Sequence, residues 1–289
     1  MSFTITRINK EQVAPVKFID VKDDPRPIAG ASLFPEIYGN IFFCARKKSG
    51  KSCGIYHTIK HCATKETTVV AFCATINRDP TWASIQQLCK EMGVTFSGYT
   101  SIWEGKEDIL KAIVESLEVP QEKEEKEAEQ KGGGSILVCT AEDLPTSRGG
   151  KKKAKKPKFR APEIIFCFDD IGSELQTPSL TSLMKKNRNL KSKVIVSSQN
   201  WNDLALQARK QLDYVLIFKG FSKSLDKLKE IYNNLDVSVS FEDFLAMYRF
   251  ATAEKFHFFY INVVNSEFRQ DFSHKITPPN DDEDNIQDL

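Results

Sequence analysis

The sequence has no long apolar run and no cysteine pair of the CxxC type. No stretch approaches the ~20 apolar residues of a membrane-spanning helix, and the opening MSFTITRINK lacks the apolar core of a signal peptide. The seven cysteines are scattered, and several lie in apolar runs such as VAFCAT and IIFCFDD. That pattern is typical of buried thiols in a reducing compartment and not of a disulfide framework. We therefore expect a soluble intracellular protein without a membrane span.

The sequence also lacks a strong net charge. Its 41 Lys and Arg against 39 Asp and Glu give +2, so no global field draws the chain to nucleic acid or to a membrane. The charge is segregated instead, because PQEKEEKEAEQKGGGS is acidic and then glycine-rich, whereas TSRGGKKKAKKPKFR is basic. We predict a flexible, low-complexity charged insertion at 119–160, since such segments bury too little apolar surface to order themselves. Its KKKAKKPK could contact a DNA backbone, act as a nuclear-localisation signal or be a solvated run.

Apolar runs of strand length alternate with helix-like segments along most of the chain. NIFFCA, TTVVAFCAT, EIIFCFDD, KVIVSSQ and DYVLIFKG are continuously apolar over most of their length, which is typical of strands buried on both faces of a parallel sheet. Helix-like segments include 51–62, TWASIQQLCKEMG and the amphipathic EDILKAIVESLEV at 107–119. The alternation predicts an α/β fold with a mostly parallel central sheet flanked by helices. We assign 28–265 to this domain, 1–27 to an N-terminal segment, and 266–289 to an acidic tail that we expect to be disordered.

Directly after the first apolar run stands ARKKSGKS, residues 45–52. The string matches the phosphate-binding loop GxxxxGK[ST], except that Ala45 replaces the first Gly. In such a loop, backbone N–H groups and a helix N-terminus bind phosphates, Lys51 reaches them, and the Ser52 hydroxyl holds Mg²⁺. A lysine-rich turn is the alternative interpretation. The predicted nucleotide-binding residues are Ala45, Arg46, Lys47, Lys48, Ser49, Gly50, Lys51, Ser52 and Cys53.

A pair of acidic residues follows the apolar run within EIIFCFDDI. Asp169 and Asp170 come at the end of this run, and the carboxyl ends of parallel strands face the ligand crevice. Asp169 is therefore expected beside the Mg²⁺ held by Ser52, and Asp170 is expected to polarise the attacking water as a general base. The alternative is a solvated Asp-Asp turn that ends the strand. The phosphate-binding loop predicted at 45–52 favours the metal-site interpretation over this alternative.

Two further polar residues belong to the region after the acids. Gln199 ends the apolar run KVIVSSQ, where it could touch the γ-phosphate or its water, or simply cap the strand. Arg188 stands just before that run, where it could reach a neighbouring subunit's phosphate as an arginine finger or be a solvated helix-end charge. No guanine-reading NKxD motif occurs, which argues against a simple GTPase.

Together these motifs resemble the viral genome-packaging ATPases of the FtsK/HerA superfamily, and within it the vaccinia-type packaging ATPases of large DNA viruses, virophages and Polintons. The similarity covers residues 38–265, and it departs from the family at Ala45 and at Asn189, where a His is expected. The elements that match are the phosphate loop, the acid pair, an Asn–Arg element with a nearby Ser, a strand ending in Gln, and a downstream Arg. They fall on Lys51, Ser52, Asp169, Asp170, Asn187, Arg188, Ser192, Gln199 and Arg209.

The resemblance implies a RecA/FtsK-HerA-like P-loop fold that uses ATP and Mg²⁺. It implies a motor that hydrolyses ATP and translocates double-stranded DNA into a capsid, as a hexameric or pentameric ring that meets capsid or portal-vertex proteins. The expected location is the host cytoplasm, a viral factory or the virion. Arg209 is an alternative to Arg188 as the trans-acting residue, or it forms a surface ion pair. Two other functions stay open: a related DNA-pumping or unwinding ATPase of a mobile element, and a non-hydrolysing nucleotide-binding assembly protein. The residues expected to be catalytic are Asp170, Gln199, Arg188 and Lys51.

Overall fold

The apolar runs of the sequence form a central sheet. The computed structural model describes residues 24–118, 158–221 and 225–277. The strands within them are β1 Gly39–Cys44, β2 Thr68–Cys73, β3 Thr95–Tyr99, β4 Trp103–Glu104, β5 Glu107–Asp108, β6 Ile164–Asp169, β7 Ser192–Ser198, β8 Tyr214–Phe218, β9 Phe258–Asn262, β10 Glu267–Gln270 and β11 His274–Ile276. Nine of them form one sheet in the order β11-β10-β9-β8-β1-β7-β6-β2-β3, while β4 and β5 pair separately.

Helices cover both faces of this sheet. They are α1 Lys51–Cys62, α2 Pro80–Met92, α3 at 109–118, α4 Pro178–Lys186, α5 Leu206–Arg209, α6 Leu225–Asn234 and α7 Phe241–Ala251. Short 3-10 turns span Gly172–Glu174 and Trp201–Asp203. No helix of the described ranges is long and apolar enough to cross a membrane.

Six neighbouring strands of the sheet run parallel. The pairs β8–β1, β1–β7, β7–β6, β6–β2 and β2–β3 are all parallel, and β9, β10 and β11 add an antiparallel extension at one side. The predicted α/β class with a mostly parallel, helix-flanked sheet is therefore confirmed. Because the six strands share one direction, their carboxyl ends lie along a single edge.

The central strands β1, β2, β6 and β8 are apolar over most of their length because both faces of the sheet are packed there. Successive side chains point to opposite faces, so Phe42 packs with the helices of one layer and Phe43 with those of the other. The same alternation divides Phe166 from Cys167 on β6. Five of the described cysteines, at 44, 62, 73, 89 and 167, are buried free thiols as the sequence predicted, whereas Cys53 is exposed.

The boundaries differ from the predicted ones in two places. The domain end predicted at residue 265 is wrong, because β10 and β11 extend the sheet to Ile276. The helix predicted from residue 107 begins at 109, because Glu107–Asp108 pairs with Trp103–Glu104 across a turn that contains Gly105 at φ 61°. The predicted insertion falls on residues outside the described ranges from 119 to 157, as do 278–289 of the predicted tail.

Candidate nucleotide-binding site

The loop at 45–52, the acid pair and Gln199 lie at the carboxyl edge of the parallel strands. The register pairs Cys44 of β1 with Ser198 of β7, and Ser197 of β7 with Asp169 of β6. The loop after β1, the acid pair at the end of β6 and Gln199 after β7 therefore lie side by side. Ligands bind at this edge of open α/β sheets, since loops there are joined to rigid strands.

The loop from Ala45 to Gly50 leads from β1 into the first turn of α1. The Ala45 amide donates to the Ser198 carbonyl at 3.0 Å, and its methyl is fully buried in the core on the α1 face. Ala45 thus sits at the strand exit, where its methyl has a packing role. The backbone turns left-handed at Lys48 (φ 61°) and at Gly50 (φ 98°).

Gly50 is required by its backbone angle. A β-carbon placed on it would meet no atom closer than 3.7 Å, so space is available, but φ 98° is costly for any residue with a side chain. Gly50 is the N-cap of α1 and provides no side-chain cap. The first N–H groups of a helix have no intrahelical acceptor and attract anions. This N-terminus is therefore suited to phosphate.

Lys51 and Asp170 form an ion pair between the loop and the acid turn. The Lys51 ammonium donates to Asp170 Oδ1 at 3.0 Å; the lysine side chain is 7% exposed and the aspartate 42% exposed. Asp170 has a left-handed backbone at φ 52°, a conformation that Asp tolerates better than most residues. The turn after β6 thus directs one acid toward the loop and leaves it accessible to solvent.

Asp169 is held in a buried, polar corner. Its Oδ2 accepts from Ser52 Oγ at 3.4 Å and from the indole N–H of buried Trp82 at 3.1 Å. Its Oδ1 is buried and makes no hydrogen bond of normal geometry with the described residues, although the Ser197 hydroxyl lies near the carboxylate and acts to lower its pKa. Burial raises the pKa of Asp169 above its ordinary value, and the neighbouring Asp170 carboxylate adds to the effect.

A hard cation fits this corner. Mg²⁺ prefers oxygen ligands and takes one or two from the protein, with waters and substrate phosphates supplying the rest. The Ser52 hydroxyl and the two carboxylate oxygens of Asp169 form such an incomplete oxygen set. No cluster of three or more His, Cys, Asp or Glu suited to a metal occurs in the described part of the chain.

Asp203 positions the segment around Gln199. Its carboxylate accepts from the Ser198 hydroxyl and, at 3.3 Å, from the Asn200 amide, so both neighbours of Gln199 are fixed by one residue. Gln199 itself is half-buried and lines a cavity of about 410 Å³ with Arg46, Lys47, Asn200, Phe221 and Lys227. Asp203 was not predicted, although Asn200 and Asp203 form a capping box whose Asn-x-x-Asp spacing is visible in the sequence.

The two candidate arginines lie in different places. The Arg209 guanidinium donates to Asn202 Oδ1 at 2.7 Å and lies 5.7 Å from the centre of the Trp201 ring, so it adjoins the segment that follows Gln199. Burial lowers the pKa of Arg209. Arg188 is exposed and precedes β7, at the opposite edge of the sheet from the site. With seven residues in β7, the two edges are about 20 Å apart.

The neighbours of Arg188 have a structural part in this fold. Ser192 donates to the carbonyl of Asn187 from both its amide, at 2.8 Å, and its hydroxyl, at 3.2 Å. These bonds close the turn between α4 and β7. The structure therefore does not bring the Asn–Arg element of the sequence into its own chain's site.

Trp82 was missed by the sequence reasoning, as was Asp203. Trp82 stands on α2 among apolar positions that pack on the sheet, and its spacing is that of any core residue. The sequence holds no signal that its indole N–H meets the acid at the end of β6.

Comparison with known proteins finds solved structures that are similar to this chain at low sequence identity. No protein-family model matches the sequence, and no curated protein matches it. The genome packaging NTPase from Sulfolobus turreted icosahedral virus 2 in complex with AMP superposes with a TM-score of 0.49 at 13% identity, covering 85% of this chain and 100% of that one. The DNA-packaging ATPase from Sulfolobus turreted icosahedral virus gives 0.48 at 15% identity, covering 84% and 98%. The cytoplasmic domain of the type VII secretion ATPase EccC from Thermomonospora curvata gives 0.44 at 13%, covering 86% and 26%. Viral genome-packaging ATPases, the class named by the sequence resemblance, are thus among the structural neighbours of this chain.

Proposed function

We propose that this chain is an ATPase whose nucleotide site lies at the carboxyl edge of β1, β6 and β7, and that it drives double-stranded DNA into a viral capsid. The observation that carries the nucleotide site is the approach of the loop to both acids. Lys51 lies 3.0 Å from Asp170 and Ser52 lies 3.4 Å from Asp169. A lysine-rich turn without a ligand function would give no reason for two such contacts with a second strand end.

The loop binds the phosphates of ATP. The free N–H groups at the start of α1 and the left-handed turn at Gly50 surround the phosphate oxygens, and Lys51 supplies positive charge. Ser52 and Asp169 would hold Mg²⁺, which would neutralise phosphate charge there. The buried carboxylate of Asp169 supports this role, because its desolvation is costly and a bound cation would offset that cost.

Hydrolysis depends on Asp170 and Gln199. When Lys51 turns to the phosphates, Asp170 loses its ion pair, and its carboxylate becomes available to accept a proton from water. Gln199 orients that water from the end of the neighbouring strand, and Asp203 holds the backbone on either side of it. Phosphoryl transfer is largely positioning and charge stabilisation, so fixed geometry of these groups is what the site contributes.

The motor assignment rests on the sequence resemblance and on where the arginines lie. Arg188 is on the edge of the sheet far from its own site, so it acts only if a neighbouring subunit presents a site to it. Arg209, beside Asn202, is the alternative. An arginine that acts in trans needs a neighbouring subunit, and we propose a hexameric or pentameric ring that meets capsid or portal-vertex proteins.

The decisive experiment is ATP hydrolysis by the purified chain with and without double-stranded DNA. The motor predicts turnover that rises with DNA and with protein concentration. Turnover without a DNA response would remove the translocase assignment and leave an ATPase. Binding of ATP without turnover under all conditions would favour the non-hydrolysing assembly protein. Packaging into capsids in a reconstituted reaction separates a viral motor from a related pump or unwinding ATPase of a mobile element.

A further inference from the structure

Phe256 is an aromatic residue in a position that folding does not explain. Its side chain is 68% exposed, and its backbone is left-handed at φ 70°. Left-handed conformations are strained for bulky residues and persist where the surroundings impose them, often at ligand sites. The ring therefore gains little from burial while the backbone holds an unfavourable conformation.

The segment that carries Phe256 is fixed on both sides of the ring. The Lys219 ammonium, just after β8, donates to the carbonyl of Ala253. On the other side the Phe258 amide donates to Asp271 Oδ1 at 3.1 Å, and His257 Nδ1 lies 2.6 Å from Asp271 Oδ2. These contacts hold the backbone on either side and leave the ring open to solvent.

The ring lies next to the phosphate loop. Phe256 Cδ1 is 3.7 Å from the position that a β-carbon on Gly50 would take, and Phe218 Cε1, at the end of β8, is 3.8 Å from it. Gly50 is the residue at which the loop enters α1. An aromatic surface thus begins directly where the phosphates are expected to bind.

The strand order fixes which end of a nucleotide reaches this surface. In the sheet, β8 and β9 lie on one side of β1, whereas β7 and β6 lie on the other. Asp169 and Gln199 belong to the β6 and β7 side, so the terminal phosphate and its metal would lie there. A triphosphate bound across the loop consequently directs its nucleoside toward the β8 and β9 side, where Phe256 stands.

We propose that Phe256 is the stacking platform for the base of the nucleotide whose phosphates the loop binds. This inference rests on the proposed nucleotide site. A ring face recognises any base by its π-surface, so the class of ligand is a nucleoside triphosphate, and the residue adds affinity without reading the edges of the base. Exposure of the ring before binding follows from this role.

The test compares a ligand that has a base with one that lacks it. We would measure binding of ATPγS and of inorganic tripolyphosphate, each with Mg²⁺, to the full chain and to Phe256→Ala. Loss of one stacking contact corresponds to about a 5- to 150-fold loss of ATPγS affinity, whereas tripolyphosphate affinity stays unchanged. Phe256→Asn serves as a second variant, since Asn accepts a left-handed backbone and also lacks the ring. Phe256→Trp should restore the affinity for ATPγS.

Phe250→Ala is the matched control, because that ring is 64% exposed on α7 and is expected to leave both affinities unchanged. Unchanged ATPγS affinity in Phe256→Asn would overturn the stacking role while the phosphate site stands. Equal losses for both ligands would also overturn it, since they would indicate a distorted loop. Failure of the unaltered chain to bind either ligand would instead refute the nucleotide site itself, and the stacking role with it.

Discussion

The ammonium of Lys51 lies 3.0 Å from Oδ1 of Asp170, and this contact joins the loop after β1 to the turn after β6. The two groups have different roles in the proposed reaction, since Lys51 neutralises phosphate charge and Asp170 accepts a proton from water. While they are paired, neither is available for its task. Phosphate binding would separate them, which couples occupancy of the loop to activation of the acid.

The first prediction concerns Lys51. Lys51→Ala should abolish hydrolysis and weaken ATP binding, because it removes the charge that faces the phosphates. Its effect on stability should be below about 1 kcal/mol, since Asp170 is partly exposed and loses little when its partner goes. Steady-state hydrolysis and thermal unfolding measure the two effects. Lys60→Ala, at an exposed position on the same helix, is the control. Turnover of Lys51→Ala at the wild-type rate would rule out this loop as the site.

The second prediction separates the two acids. Asp169→Asn should weaken Mg²⁺-dependent ATP binding, because its buried carboxylate is the proposed metal ligand. Asp170→Asn should keep that binding and stop hydrolysis, since only the proton acceptor is lost. Titration of ATPγS with and without Mg²⁺, together with turnover, distinguishes them. Equal binding defects in both variants would contradict separate roles.

The third prediction concerns Trp82, which the structure adds to the site. Trp82→Phe removes the indole donor to Asp169 Oδ2 in a buried setting. We expect a loss of about 1–3 kcal/mol in the free energy of unfolding and weaker Mg²⁺-dependent ATP binding. Chemical denaturation and nucleotide titration would show it. Trp103→Phe, at a 42% exposed position in the β4–β5 hairpin, should change neither. If the two variants behave alike, Trp82 has no part in holding the acid.

The fourth prediction tests whether an arginine acts in trans. Arg188→Ala subunits keep an intact loop, and Lys51→Ala subunits keep an intact arginine, so mixed rings should recover some hydrolysis. Recovery requires a neighbour's arginine, because an arginine that serves its own site would leave every mixed site with one defect. Hydrolysis by defined mixtures, with oligomers confirmed by mass, is the measurement. No recovery would exclude Arg188, and the same mixture with Arg209→Ala would then test the alternative. A chain that stays monomeric with DNA and ATP would contradict the motor.

The fifth prediction is a pH dependence of stability at Lys193. This lysine is 1% exposed, its ammonium donates to the Glu36 carbonyl at 2.8 Å, and burial lowers its pKa. The folded state therefore releases this proton at lower pH than the unfolded state does. The lysine's contribution to the free energy of unfolding rises as pH climbs from the lowered pKa to the ordinary one. Lys193→Met should remove that rise. The free energy of unfolding of the variant, relative to that of the wild type, should therefore be higher at pH 7 than near pH 10. For the exposed control Lys60→Met, the difference in free energy of unfolding from wild type should not change between these pH values. The same difference at both pH values for Lys193→Met would contradict the prediction.

The sequence alone determined the sheet and the placement of its polar strand ends. Continuous apolar runs such as IFFC and IIFCF predict doubly buried strands, and parallel strands share one carboxyl edge. The loop at 45–52, the acid pair and Gln199 were therefore predicted to meet, and they do lie side by side. These inferences need only local pattern and strand direction.

Only the tertiary structure decided which atoms meet at that edge. Trp82 reaches Asp169 from a helix 87 residues earlier in the chain, and its spacing is that of a core residue. Phe256 adjoins Gly50 because the antiparallel strand β9 pairs with β8, and the apolar run of β9 does not by itself indicate that partner. Strand pairing and helix packing fix such contacts, and their partners are distant in sequence. Local periodicity indicates which face of an element is buried but not what it is buried against.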